Sequence, residues 1–161
     1  MNQSVFEQHA AALAEIKASQ AVTAALVAAF EANAPRALTI PAATILLGAG
    51  EHYAGLALDA DGKPSHHLVL LADTFNGPWD AAVAKALELG GYLPSRLEQA
   101  LLFANLKSQF EESYHWSAEQ HAGYSDYAWM QNFGNGNQNN DNKSNSRHAR
   151  FVRRSNRAPP C

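Results

Sequence analysis

Residues 79–110, WDAAVAKALELGGYLPSRLEQALLFANLKSQF, decide the fold, because they read as two helices joined by a short, sharply punctuated link. Trp79, Val83, Ala86 and Leu87 recur at helical spacing, and Gly90-Gly91 stops them as a glycine C-cap does. Ser95 with Glu98 three residues on forms a capping box for the second helix, which the pattern carries to about Phe110. Leu97, Leu101, Leu102, Ala104 and Leu106 mark its buried side.

On the N-terminal side of this pair the chain reads as β structure. The run TILL (44–47) ends at Gly48 and Gly50, and residues 53–58 and 67–71 flank the turn-forming Asp59-Ala60-Asp61-Gly62-Lys63-Pro64, which predicts a hairpin. On the C-terminal side the helical period disappears. Residues 114–117, 127–133 and 148–153 read as strands, with Tyr127, Trp129, Gln131 and Phe133 sharing one face of the middle one. Residues 134–146, rich in Asn and poor in apolar groups, read as a long loop, either mobile or pinned by side-chain hydrogen bonds. At the start of the chain, residues 4–33 predict one Ala-rich helix. It is capped by Ser4 and Glu7, followed by Pro35, and has a partly apolar face of Val5, His9, Leu13, Ile16, Ala24, Val27 and Phe30. It either docks on the domain or joins copies of the chain into a homo-oligomer.

The whole is an α+β protein in three parts: an N-terminal helical extension (1–37), one domain (38–155) and a flexible basic tail (156–161). The 161 residues, 47% hydrophobic and 17% charged, suffice for one folded core. Charge is divided along the chain. Residues 1–142 carry −9 and residues 143–161 carry +6, which offers a partner, or the acidic body itself, a basic end to meet. The single cysteine, Cys161, excludes an internal disulfide and a multi-cysteine metal site. The longest early apolar run, residues 21–30, is too short to span a bilayer, so no membrane contact is expected and a cytoplasmic location is the default.

The spacing of reactive side chains nominates no chemistry. His66-His67 are adjacent in a strand and His115 and His121 lie six apart, with no HExxH, so no metal is expected. Asp59/Asp61 and Glu111/Glu112 have the turn and surface roles usual for such pairs. Gly48-Ala49-Gly50 lacks the rest of a nucleotide fingerprint. Ser95 and Ser117 lack a nucleophile elbow. No cofactor is implied. Arg150, Arg153, Arg154 and Arg157 form a candidate basic patch for nucleic acid, yet Arg150 and Arg154 would face one side of a strand and Arg153 and Arg157 the other.

Several motifs occur in the order of a known family. Gly91, Leu93-Pro94-Ser95-Arg96-Leu97-Glu98, Tyr114-His115-Trp116-Ser117, Ala128-Trp129, Phe133 with Gly136, and Arg150-Phe151-Val152-Arg153-Arg154 resemble the Lcl C-terminal-like (DUF1566) domain. Tyr53-Ala54-Gly55-Leu56 and His67-Leu68-Val69-Leu70 resemble its phage and prophage branch, so the likeness covers about residues 40–155. It implies a C-type-lectin-like α+β domain with two helices packed on small antiparallel sheets, whose long loops form a variable surface. By position, Leu93, Pro94, Trp116, Trp129 and Val152 would be scaffold residues, and Arg96 with Glu98 would brace the helix start. Ser95 replaces the usual Thr, and Ala118 removes a strand hydroxyl. The calcium-binding motifs of true lectins are absent.

The expectation is a non-enzymatic phage- or prophage-encoded binding protein, in the bacterial cytoplasm or on the virion, that engages a protein partner. Its contact residues would be Tyr124, Tyr127, Asn135, Asn137, Asn139, Asn140, Asn142, Lys143, Asn145 and Arg147, combining rings with adaptable amides. An inhibitor of a host nucleic-acid-processing or defence system, and a structural virion or adhesion component, are the alternatives.

Overall fold

Ser4 starts the first helix as its spacing predicts: its hydroxyl accepts from the Glu7 amide and the Glu7 carboxylate accepts from the Ser4 amide. The computed structural model describes residues 4–33 and 44–155. The chain divides into two units between Leu38 and Thr39. In the first, helix α1 (Val5–Asn33) runs for 29 residues, about 43 Å. Its side chains from Val5 to Ala32 are exposed. Val5–Ala32 is long and apolar enough to cross a membrane by length and composition, which the ten-residue run at 21–30 did not suggest.

In the second unit, β1 (His52–Leu58) and β2 (Pro64–Gly77) form the expected hairpin, and α2 (Trp79–Glu88) and α3 (Arg96–Leu106) follow, the latter ending in a 3-10 turn at Lys107–Gln109. The remaining strands are β3 (Tyr114–Gln120), β4 (Tyr127–Asn132), β5 (Gln138–Asn142) and β6 (Arg147–Ser155). The six strands make one mixed sheet in the order β1-β2-β6-β3-β4-β5. This corrects the expectation of separate small antiparallel sheets. β6 pairs antiparallel with β2 and parallel with β3 at His148 and His115, and so joins the two halves. Residues 44–47 form no strand.

The helices cover opposite faces. Ala149, Phe151, Trp116, Ala128 and Met130 pack with Trp79, Ala82 and Ala86 of α2. Their strand neighbour Val152, together with Leu68, Leu70 and Phe133, packs with Leu102 and the flanking apolar residues of α3. Because successive strand residues point to opposite sides, a sheet sandwiched this way reads apolar at consecutive positions, as in Leu68-Val69-Leu70-Leu71. The Trp79 indole donates to the Ser117 carbonyl and the Trp116 indole to that of Gly77, so both large rings are buried without an orphaned N–H.

Two further expectations change. Leu97 is 62% exposed and Ala104 is exposed, whereas Glu98, Gln99 and Leu102 form the buried side of α3. Leu87 of α2 is likewise exposed. Leu102 is buried and Leu101 and Leu106 pack beside it as the hydropathy predicts, but the buried face is turned towards Glu98 and Gln99, which meet partners across the fold: the Gln99 amide nitrogen donates to the carbonyls of His115 and Trp116. The link between the helices behaves as read. Gly90 takes φ +67°, and the Gly90 and Gly91 amides close the end of α2 on the Leu87 and Ala86 carbonyls. Tyr92 then bridges to Val152.

Candidate binding surface

Residues 134–146 are not a loop. Their central part is β5, the edge strand beyond β4, with Asn140 opposite Trp129 and Asn142 opposite Tyr127. An asparagine-rich strand has little apolar area to hold it, and local side-chain hydrogen bonds do the work instead. The Asn132 carboxamide oxygen accepts from the amides of Gly134 and Asn135, and that of Asn135 accepts from Asn137. After the strand, Asn142 caps Ser144, and Asp141 accepts from Asn145 and from the Arg147 guanidinium. The amides of Asn140 and Asn142 are each occupied by the side chain before them, Asn139 and Asp141. Those groups are therefore already engaged locally, which limits edge-to-edge strand addition.

Beside this strand lies a continuous set of rings. Trp129 is half-buried, with the Arg96 guanidinium 3.7 Å from its ring centroid and the His121 ring stacked against it at 5.5 Å. His121 packs on Tyr124 at 5.0 Å, and Tyr124 on Tyr127 at 5.8 Å. Tyr124 is 62% exposed. Arg96 is fixed from three directions: its side chain donates to Gln138, its carbonyl accepts from Gln138, and its amide donates to Glu119. A guanidinium seated on an aromatic face adds roughly 0.5–1 kcal/mol at such partly exposed sites, more where water is excluded. Asn140 and Gln138 flank the rings on β5, opposite Trp129 and Gln131. The arrangement presents flat apolar area, a cation and amides on rigid elements, which suits recognition.

The residues proposed as contacts are thus divided. Tyr124, Asn135, Asn137, Asn139 and Asn145 are exposed, and Tyr127, Asn140, Asn142, Lys143 and Arg147 are half-buried. Lys143 is taken up by Gln120, the Ser125 carbonyl and the Trp79 ring. Of the expected scaffold residues, Leu93, Pro94, Trp116 and Val152 are buried, while Trp129 and Arg96 belong to the ring surface. His121 was weighed in the sequence only as a metal ligand and Gln138 was not singled out; the β3–β4 connection, where the His121 amide donates to the Tyr127 carbonyl, sets His121 by Trp129, and the pairing of β5 with β4 brings Gln138 to Arg96.

The basic patch does not form as expected. Arg153 pairs with Glu51, Arg147 with Asp141, and Arg154 with Glu98. Arg150 is 8% exposed. Three residues of β2, 71–73, bulge opposite Phe151, and the Arg150 guanidinium donates to the Leu71 carbonyl in that bulge and to the Gln109 carbonyl. Its charge answers backbone groups that irregular structure leaves unpaired. Arg157 lies outside the described residues, as does the tail at 156–161.

Glu98 is the most constrained carboxylate. It is 2% exposed, caps the Ser95 amide, receives Arg154 on both oxygens, and meets His66 at 2.8 Å. Burial alone would raise its pKa; the hydrogen bonds and charge of Arg154, the Ser95 amide and His66 outweigh that and hold it at about 2. A second polar region is a cleft of about 700 Å³ lined by Thr74, Asn76, Ser108, His115, His148 and Arg150, among others. Burial lowers His115 to about 4, with the charges of His148 and Arg150 acting in the same direction and a bond to the Ser113 carbonyl opposing. His115 is therefore neutral near pH 7. Among the described residues no group of three or more His, Cys, Asp or Glu side chains is placed to hold a metal ion.

No protein-family model matches the chain, and no curated protein matches it.

Proposed function

We propose that this chain is a non-enzymatic binding protein, of phage or prophage origin, that engages a protein partner through the ring surface of Arg96, Trp129, His121 and Tyr124 and the asparagines beside it. The observation that carries this reading is the half-buried Trp129 ring, contacted by Arg96 and His121 beside an ordered asparagine-rich edge strand. Rings that cost little rotamer entropy to fix, with amides around them, are the composition of antibody-like contact surfaces. A C-type-lectin-like scaffold is the finer reading of the α+β domain. It is supported by the order of the motifs, by the burial of Leu93, Pro94, Trp116 and Val152, and by the pairing of β6 with β2. The continuous sheet departs from that scaffold's separate small sheets.

The alternative of an inhibitor using a free basic patch loses support, since Arg153 and Arg154 are paired with carboxylates and Arg150 is spent on carbonyls. The test compares the natural chain with Tyr124→Ala/Asn140→Ala and with Arg96→Met. Each is used to capture proteins from a bacterial host lysate, with quantitative mass spectrometry as the readout. Hot-spot rings typically carry 2 kcal/mol or more each, about 30-fold in affinity. The partner should be lost from both variants while their unfolding temperatures stay close to that of the natural chain. Equal recovery of the same partner by all three would refute the assignment of this surface.

A further inference from the structure

Helix α1 carries a repeating pattern of its own. Phe6, His9, Leu13, Ile16, Gln20, Thr23, Val27 and Phe30 follow one another at alternating spacings of three and four residues over nearly four heptads. That is the 3.5-residue repeat of a coiled-coil seam. Val5 and Leu26 lie beside it, and Ala10, Ala12, Ser19 and Ala24 keep its margins small enough for close approach. With Ala or Ser at half of the flanking positions, side-chain size as well as polarity marks the seam. Glu7, Glu15, Lys17 and Glu31 all fall off it. The seam residues Phe6, Leu13, Ile16, Val27 and Phe30 are among the exposed large apolar groups of the chain.

We infer that α1 joins copies of this chain as a parallel, in-register coiled coil. Gln20 decides the orientation. In a parallel, in-register assembly each layer meets itself, so Gln20 amides bond to Gln20 amides and His9 rings lie together, while the Thr23 hydroxyl is met by the Ser19 carbonyl of its own helix in either arrangement. An antiparallel pair centred on the same seam sets Ile16 against Gln20 and His9 against Val27, which leaves the Gln20 amide facing hydrocarbon without a partner. A single polar layer at a seam position is a recognised means of fixing register and strand direction. The other occupant such a helix can take is a lipid bilayer, for which its length is sufficient. Against it, Glu15 and Lys17 sit near the helix middle, where charge is costly in hydrocarbon, whereas in the coiled coil both face water.

The experiment uses the full chain with Cys161→Ser. Light scattering behind size exclusion should give at least twice the monomer mass at micromolar concentration. Thr23→Cys should then form a same-residue disulfide between copies under mild oxidation, while Val22→Cys, on the far side of the helix, should not. Leu13→Asp/Ile16→Asp should return the chain to monomer and leave the unfolding temperature of the 44–155 domain unchanged. A monomeric natural chain would overturn the inference. So would equal cross-linking at 22 and 23, or flotation with phosphatidylcholine vesicles accompanied by loss of the 23–23 disulfide.

Discussion

Glu98→Gln removes one negative charge from the point where α3, β2 and β6 meet, and keeps the side chain's shape. A carboxyl held at about 2 rather than 4.5 corresponds to about 3 kcal/mol of folding stability, at roughly 1.4 kcal/mol per tenfold. Breaking a buried ion pair from one side costs about 3–5 kcal/mol by comparison. The Arg154 side chain is 35% exposed and rehydrates in part, which places the loss at the lower end, about 3 kcal/mol. For a domain of this size that lowers the unfolding temperature by about 10 °C. The sign with pH follows from the direction of the shift. A carboxyl whose pKa is depressed on folding contributes its full stability above 4.5 and loses it as the pH falls towards about 2. Thermal unfolding followed by circular dichroism from pH 7 to pH 2 should therefore show a gap near pH 7 that closes between about 4.5 and 2. A gap that is absent at pH 7, or constant across that range, would refute the view that Glu98 acts through its charge.

His115 makes the complementary case in a separate window. The unfolded chain accepts a proton at 6.5 that the folded chain refuses until about 4, so stability is full above 6.5 and declines by about 3 kcal/mol as the pH falls to 4. His115→Asn, whose amide nitrogen takes the place of Nδ1 towards the Ser113 carbonyl, should flatten that decline; a variant with the same slope as the natural chain would place the acid sensitivity elsewhere. Gly91→Ala would set a Cβ 2.9 Å from the Val152 carbonyl oxygen and 2.8 Å from Leu71, so the Tyr92–Val152 bridge must open. An expected loss of about 2 kcal/mol or more contrasts with about 1 kcal/mol for Gly62→Ala, where φ is +75° and nothing lies within 4 Å. Denaturant midpoints for the two decide it, and equal losses would refute the close-approach argument.

The helices and hairpin were legible because their signals are local. Ser95 and Glu98, Gly90-Gly91, and the turn at 59–64 each act within a few residues. What stayed hidden depends on partners distant in the chain. Only the Leu101–Leu102–Leu106 part of the buried face of α3 could be read from hydropathy, since Glu98 and Gln99 face inward only because Arg154 and the carbonyls of β3 await them. β5 escaped for the same reason: asparagine has low strand propensity, and pairing with β4 overrides it. The arginines of β6 carried a true signal of charge and a misleading one of exposure, because the carboxylates that take them, Glu51 and Glu98, lie 102 and 56 residues away.

The position of β6 in the sheet has a consequence for how the domain is made. It is the last of the described strands in chain order and yet it lies between β2 and β3. Until residues 147–155 have been synthesised, the β1–β2 hairpin and the β3–β4–β5 meander have no shared edge, and Leu68, Leu70 and Trp116 have only part of the packing that buries them. The nascent chain is thus left with two apolar half-sheets and open strand edges, the condition in which nascent domains aggregate or engage chaperones. Completion of Arg147–Ser155 closes both at once, so assembly of the domain is gated by one short, arginine-bearing segment.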